Sequence, residues 1–231
     1  MISVIISAFK GEMYVEEAIR SILSQLPSDG EIIVCDGLPG GATGRVVSRL
    51  AAEDSRVILI DGKSAGATEN TVHALRHCRG DRIFICSQKD VWLPDKIKRV
   101  NEAFASGADM VVHNAYITDE ALNITEYSLF EVLSFRKGVI SNILSNRFVG
   151  SCLAFDRKML KFIMPIPKHV ADSDQWIGII CSIFGTVKLL DLPLCYHRQL
   201  YGETAVQDSK EISRNRRYLI SKLYKRVFIR R

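Results

Sequence analysis

The sequence predicts an α/β protein built on a mixed, mainly parallel sheet with helices on both faces. Three observations carry that reading. Short apolar runs rich in β-branched residues alternate with amphipathic stretches of helical period through the first half of the chain, the rhythm of βαβ units. Each apolar run ends in a polar or glycine-rich turn, where α/β sheets place their ligands. The 231 residues, 47% hydrophobic and 25% charged, suffice for one large core, and no Pro/Gly/Ser-rich linker or repeat divides the chain.

Strands are expected at 3–7, 31–35, 57–60, 82–86 and 109–113, and helices at 13–25, 44–53, 67–78 and 94–105. In the first helix Val15, Ala18, Ile19, Ile22 and Leu23 share a face, and Pro27 stops it. The helix at 94–105 has Pro94 in its first turn and Gly107 beyond its end. The rhythm then breaks over 114–134. It resumes with a helix at 139–146, a strand at 152–155, a helix at 174–184 and short strands at 187–190 and 194–197. Residues 1–207 are expected to form one domain, and 208–231 a basic helical tail.

The basic character is confined to that tail. Of 31 Lys/Arg and 26 Asp/Glu, nine basic and two acidic residues lie from Asp208 onward, a net +7, which leaves −2 for residues 1–207. Ile212, Leu219, Leu223 and Val227 recur near helical spacing, with Arg214, Arg216, Arg217, Lys222, Lys225, Arg226, Arg230 and Arg231 on the polar side. Two readings stay open: a solvated helix packed by one stripe, or a helix resting on an anionic membrane, where each cation is worth about 1 kcal/mol. Nucleic acid is not an expected partner, because no basic groove with interleaved aromatics accompanies the tail.

Cys35, Cys78, Cys86, Cys152, Cys181 and Cys195 are scattered without a Cys-x-x-Cys pair and are read as small buried hydrophobes rather than a zinc or disulfide framework. No apolar run approaches the roughly 20 residues of a membrane span, and the first residues lack the basic start of a leader, so a cytoplasmic location is expected. The first strand is followed by neither Gly-x-Gly-x-x-Gly nor Gly-x-x-x-x-Gly-Lys-Ser/Thr, which excludes the dinucleotide and P-loop motifs. No glycine-rich phosphate clasp with a basic residue follows it either, which disfavours a nucleotidyltransferase.

Polar turns after the first, second and fourth strands, at 7–11, 36–43 and 87–92, suit a phosphorylated nucleotide, because loop amides and helix N-termini offer donors to anions. At these turns the chain resembles a known family. The segments Val4-Ile5-Ile6-Ser7-Ala8-Phe9-Lys10-Gly11, Glu31-Ile32-Ile33-Val34-Cys35-Asp36 and Asp90-Val91-Trp92-Leu93-Pro94-Asp95-Lys96 look like the inverting, GT-A-fold family 2 glycosyltransferases, notably a bacterial rhamnosyltransferase-like branch. Residues 16–25, Ser173-Asp174-Gln175-Trp176-Ile177 and 190–199 extend the likeness over about residues 2–199.

The resemblance implies transfer of a hexosyl group, with inversion, from a nucleotide-diphosphate sugar to a glycan or lipid-linked acceptor. The setting it implies is bacterial lipopolysaccharide or capsule synthesis at the inner face of the plasma membrane. It makes Asp174 the general base; by itself that residue also reads as a helix cap, and Asp172 is a rival carboxylate two residues away. It assigns Ser7, Phe9, Asp36, Asn70, Ser87, Gln88 and Asp90 to the nucleotide sugar, and Gly150, Ser151 and Trp176 to the acceptor. Asp36 before Gly37 also reads as a turn initiator, and Asn70 equally as a surface helix residue.

The departure from the family lies at its metal site. Relatives carry Asp-x-Asp-Asp after the fourth strand to hold a divalent cation, Mn or Mg, on the donor diphosphate. Here Ser87-Gln88-Lys89-Asp90 stands in its place, leaving Asp90 alone as a metal ligand beside a repelling Lys89. Lys89, with Lys10, Arg198 or a tail arginine, is therefore expected to neutralise the leaving diphosphate without metal. The competing reading is a catalytically silent nucleotide-sugar-binding paralogue or assembly partner. His113 and Asn114 end the fifth strand facing the same crevice, as contacts to donor sugar or acceptor or, for a lone His113, as a structural residue; Trp92 is expected as a packing anchor, and Leu200 replaces a family histidine.

Overall fold

The computed structural model describes residues 1–62, 66–136, 138–200 and 209–229. In chain order the elements are β1 (Ile2–Ala8), α1 (Val15–Leu23), β2 (Glu31–Asp36), α2 (Ala42–Glu53), β3 (Val57–Asp61), α3 (Ala67–His77), β4 (Arg82–Ser87), β5 (Val91–Trp92), α4 (Lys96–Ala105), β6 (Met110–Thr118), β7 (Ile124–Glu126), α5 (Leu129–Val132), α6 (Val139–Leu144), β8 (Leu153–Asp156), α7 (Leu160–Ile163), α8 (Ser173–Phe184), β9 (Val187–Arg198) and α9 (Ser209–Tyr224). The strands form one sheet in the order β3–β2–β1–β4–β8–β6–β9–β5, with β7 paired to β6. β1, β2, β3 and β4 run parallel, as do β6 and β9. β8 is antiparallel to both β4 and β6, and so joins two parallel blocks.

Side-chain alternation divides the core into two layers. Val4, Ile6, Ile32, Val34 and Phe84 face α1, α2 and α4, whose Ile19, Val47 and Val100 are sealed against them. Ile5, Ile33, Ile83 and Ile85 face the opposite way, onto Leu75 of α3 and Trp176, Ile177 and Ile180 of α8. Helices on both faces, expected from the near-continuous apolar strands, are thus present. All six cysteines are buried free thiols.

Two local expectations are corrected. The stretch 114–134 is not irregular throughout, since β6 continues to Thr118 and is followed by β7 and α5. The short strands at 187–190 and 194–197 are one strand, β9, paired with β6 across register shifts around Asn114. Pro193 falls in that irregular stretch, opposite Asn114, where the missing ladder donor is tolerated.

The tail helix is docked. Leu219 and Leu223 are buried in the α3/α8 layer, Arg216 donates to the Leu144 carbonyl at 2.7 Å, and Arg226 donates to the Phe162 and Met164 carbonyls at 2.6 and 2.8 Å. Ile220, Tyr224 and Phe228, spaced by four, stay exposed. Arg230, Arg231 and the expected domain boundary at 207/208 lie outside the described residues. Among the described residues no helix is long and apolar enough to cross a membrane.

Leu219→Ala should therefore cost about 2–4 kcal/mol in urea unfolding, as a buried large-to-small change does. Ile220→Ala, one residue on but exposed, stays within about 0.5 kcal/mol.

Candidate active site

Three strand ends meet at one edge of the sheet because their register is parallel. Ser7 pairs with Ser87 across β1 and β4, and Ala8 pairs with Asp36 across β1 and β2. At the usual strand spacing, Asp36 and Ser87 lie roughly 10 Å apart. The turns beyond are tied together by specific bonds. Gln88 holds the Phe9 backbone at both ends, accepting from its N–H at 2.9 Å and donating to its carbonyl at 3.0 Å. The Thr43 hydroxyl accepts from the Gly11 N–H and donates to Glu12, both at 2.9 Å. A Cβ on Gly11 would sit 2.0 Å from Gln88 Oε1, so a side chain there would displace the Gln88 amide from Phe9.

β8 brings in the other wall. Its pairing with β4 sets the 3-10 turn Gly150–Cys152 beside Ser87, whose N–H donates to the Ser151 hydroxyl at 2.8 Å. The Gly150 N–H donates to Asp174 Oδ2 at 2.7 Å. The cleft between these walls holds about 260 Å³ and is lined by Ser7, Thr68, Ser87, Gly150, Asp172, Asp174 and His197, among others. Ser7, Ser87, Gly150, Ser151 and Asp174 are thus brought together from four separate stretches of chain. A larger groove of about 470 Å³ lies elsewhere, along Phe130, Arg136 and Asp191, and contains none of the strand-end residues.

The cap of α8 is Asp172, whose Oδ1 accepts from the Asp174 N–H at 2.9 Å and whose Oδ2 accepts from the Asn146 amide. Asp174, read as a possible cap in the sequence, is freed of that role and turns its carboxylate to the cleft. Desolvation, reinforced by the charge of Asp172, pushes Asp174 up to about 8, against the Gly150 N–H and the His197 charge, which favour its ionised form. Burial raises Asp172 as well, so the two titrate as a pair.

The fourth-strand turn does not offer a divalent cation site. Asp90 is fully buried; its Oδ2 meets His197 Nδ1 at 3.0 Å and its Oδ1 accepts from the Arg198 N–H at 3.1 Å. Burial works to raise Asp90, but the His197 charge and bonds from His197, Ser151 and Arg198 more than offset it and hold the carboxyl low. Gln88 is committed to Phe9, and Lys89 brings a positive charge that opposes protonation of His197. No carboxylate oxygen of Asp90 is open to a cation in the cleft, so these residues do not fit the family's diphosphate-bridging metal. What stands there instead is the imidazole of His197, raised by Asp90 despite its desolvation. Sequence reading missed this residue, noting the absent histidine at Leu200 and not the one three positions earlier; the signal was its place near the end of β9, just past the two residues that pair with β5.

Other expected positions divide. Asp36 is 1% exposed; its Oδ1 accepts from the Leu38 N–H at 3.1 Å, the turn-initiating geometry, while Oδ2 is buried, unpartnered and set against Gly44 in the first turn of α2. Desolvation, with help from Asp61, raises its pKa. Asn70 is fully buried on the first turn of α3 and is not a surface residue. Trp176 does not line the cleft: it is fully buried in the α8 layer, where its indole N–H donates to the Ile163 carbonyl at 2.9 Å. His113 and Asn114 are likewise interior, with Asn114 bonded to Asp191 and Ser128, because β6 continues past them. Arg198 is buried and paired with Glu17 across the Tyr14 ring, so it is committed away from the cleft. Trp92 packs at 5.5 Å on Phe84 as expected.

Comparison with known proteins agrees with this architecture. The family model described as glycosyl transferase family 2 matches residues 3–164, and the chain belongs to that family. The uncharacterized glycosyltransferase alr2836 of Nostoc sp. (strain PCC 7120) is 29% identical over 206 residues, covering 85% of this chain and 64% of that protein. Among solved structures, S. aureus TarS 1-349 in complex with UDP-GlcNAc superposes with a TM-score of 0.76 at 14% identity, covering 96% of this chain and 66% of the other. The mannosyltransferase PcManGT of Pyrobaculum calidifontis, in complex with GDP-Man and Mn2+, gives 0.62 at 18%, covering 97% and 64%. The chain therefore has the GT-A fold, and spans just under two thirds of the length of these relatives.

Because folding raises the Asp174 pKa, protonation favours the folded state, and that contribution is lost as pH climbs from about 4 through about 8. Asp174→Asn should therefore unfold at higher urea than the parent protein at pH 9, the difference shrinking toward pH 4. Equal midpoints across that range would count against the raised carboxyl.

Proposed function

We propose that the chain is an inverting transferase that moves a hexosyl group from a nucleoside-diphosphate donor to an acceptor hydroxyl without a divalent metal. The observation that carries this reading is the Asp174 carboxylate, poised by the Gly150 N–H across one cleft from the ends of β1 and β4. The acceptor oxygen attacks the anomeric carbon from the face opposite the diphosphate. Its proton passes to Asp174, while the bond from the anomeric carbon to the phosphate oxygen breaks and its electron pair leaves with the nucleoside diphosphate. Lys89 and the His197 imidazolium supply positive charge for that leaving group, the role a cation would otherwise take.

In this reading Asp36 and Asn70 lie beneath the nucleoside. Ser7, Phe9, Ser87 and the Gln88 backbone line its path, and Gly150 and Ser151 border the acceptor. The bacterial surface-polysaccharide setting, a rhamnosyl-type donor and a glycan or lipid-linked acceptor rest on the sequence likeness. Peripheral contact with an anionic inner membrane is supported by the exposed Ile220, Tyr224 and Phe228 beside the tail's basic residues. A second reading, nucleotide-sugar binding without turnover, is favoured by one observation, the loss of carboxylates at 87 and 89.

Calorimetry with UDP, GDP and dTDP and their sugars, followed by donor-turnover assays, separates the two readings: binding without turnover supports the second. For a transferase, Asp174→Asn lowers kcat by about 10²–10⁴-fold with donor affinity little changed. The rate should rise with pH along an acid limb well above the ordinary carboxylate range, because the base must be ionised, and Asp172→Asn should shift that limb to lower pH while keeping the cap. Activity should survive EDTA and be lost in Lys89→Ala; a strict manganese requirement would refute the metal-free mechanism.

A further inference from the structure

Directly behind the cleft wall, on the far side of Ser151, lies a cluster that the proposed transfer does not use. A ring nitrogen of His113 and the sulfurs of Cys152 and Cys195 all lie within 4.8 Å of one another, and the three residues are 1%, 1% and 0% exposed. They come from β6, from the turn before β8 and from β9, so only the tertiary fold assembles them. His113 Nδ1 meets the Asn114 carbonyl at 2.6 Å, which makes Nδ1 the protonated nitrogen and leaves the lone pair on Nε2. Nε2 is buried and has no hydrogen-bond partner. A backbone carbonyl fixing one ring nitrogen while the other faces thiols is how metal-bound imidazoles are held.

We infer that His113, Cys152 and Cys195 form a buried three-ligand site for a thiophilic monovalent d10 cation, Cu(I). Size permits it: metal–sulfur and metal–imidazole bonds of about 2.3 and 2.0 Å place three ligand atoms roughly 3.5–4 Å apart, within the observed envelope. Coordination number chooses the ion. Lys96 is buried alongside, its ammonium 2.7 Å from the Ser151 carbonyl and over the Trp92 ring. The charges of Lys96 and of the buried Asp90 bear on both sulfurs with opposite sign, Lys96 favouring thiolate and Asp90 opposing it. Zinc takes four ligands in structural sites, and the cluster among the described residues supplies three, whereas soft thiolate donors suit Cu(I). The site is sealed, so the ion enters during folding or through opening of the turn before β8.

The test is to equilibrate the reduced whole protein anaerobically with Cu(I) buffered by a chromophoric chelator, and separately with Zn(II). One equivalent of Cu(I) should be retained against the chelator, with X-ray absorption showing two sulfur and one nitrogen neighbours. Cys152→Ser and Cys195→Ser should each weaken retention at least tenfold, while Cys181→Ala, remote from the cluster, leaves it unchanged. The wild-type absorption spectrum decides the matter even if the serine variants do not fold. The inference is overturned by loss of copper to the chelator, by tighter binding of zinc, by a spectrum lacking the two sulfurs, or by a Cys152–Cys195 disulfide in protein isolated without reductant. Because metal retention is read without donor or acceptor, its failure leaves the transferase proposal standing, and the reverse holds.

Discussion

The site depends on one hydrogen bond, from the Gly150 amide to the Asp174 carboxylate. It joins the turn before β8 to the first turn of α8 and holds one carboxylate oxygen of Asp174, a residue that lines the cleft. A side chain at 150 would begin 2.6 Å from that oxygen, so the contact exists because the residue is glycine. Everything opposite is organised by the same turn, since Ser151 beside it accepts from Ser87 at the end of β4. The antiparallel insertion of β8 between two parallel blocks is what delivers this turn to the crevice, at the place where strand direction changes.

Around that bond the charges are arranged in two opposed groups. Asp172 and Asp174 share a desolvated corner in which neither ionises readily. Asp90 and His197, by contrast, form a buried pair in which each favours the charged form of the other. Removing carboxylates from the turn after β4 thus did not leave a void. The remaining aspartate turned inward, and an imidazole from β9 came to stand at the cleft in its place. In the proposed transfer this imidazole, held by a buried carboxylate, supplies positive charge for the leaving diphosphate together with Lys89.

The glycine and hydroxyl residues of the three turns serve geometry more than chemistry. Gln88 bonds the Phe9 backbone, and the Thr43 hydroxyl bonds the Gly11 N–H and the Glu12 carboxylate. They keep three loops at a fixed spacing over a sheet whose strand ends already lie one strand apart. The tail adds a separate element: its inward leucines complete the α3/α8 layer, while its outward Ile220, Tyr224 and Phe228 do not contribute to the core.

The sequence by itself determined the parallel strands β1 to β4 and the helices between them, because buried parallel strands must be apolar on both faces and helices must show a stripe, and neither pattern depends on distant residues. It also determined which turns carry polar groups at the strand ends. Only the tertiary structure decided which way each polar side chain faces. Asp172 took the cap and left Asp174 for the cleft, Asp90 turned into the core, Trp176 packed into the α8 layer, and His197 arrived from a strand more than a hundred residues distant. Those outcomes follow from contacts between elements far apart in the chain, where burial and hydrogen bonding compete at single atoms, and such competition leaves no period or spacing for a linear reading to detect.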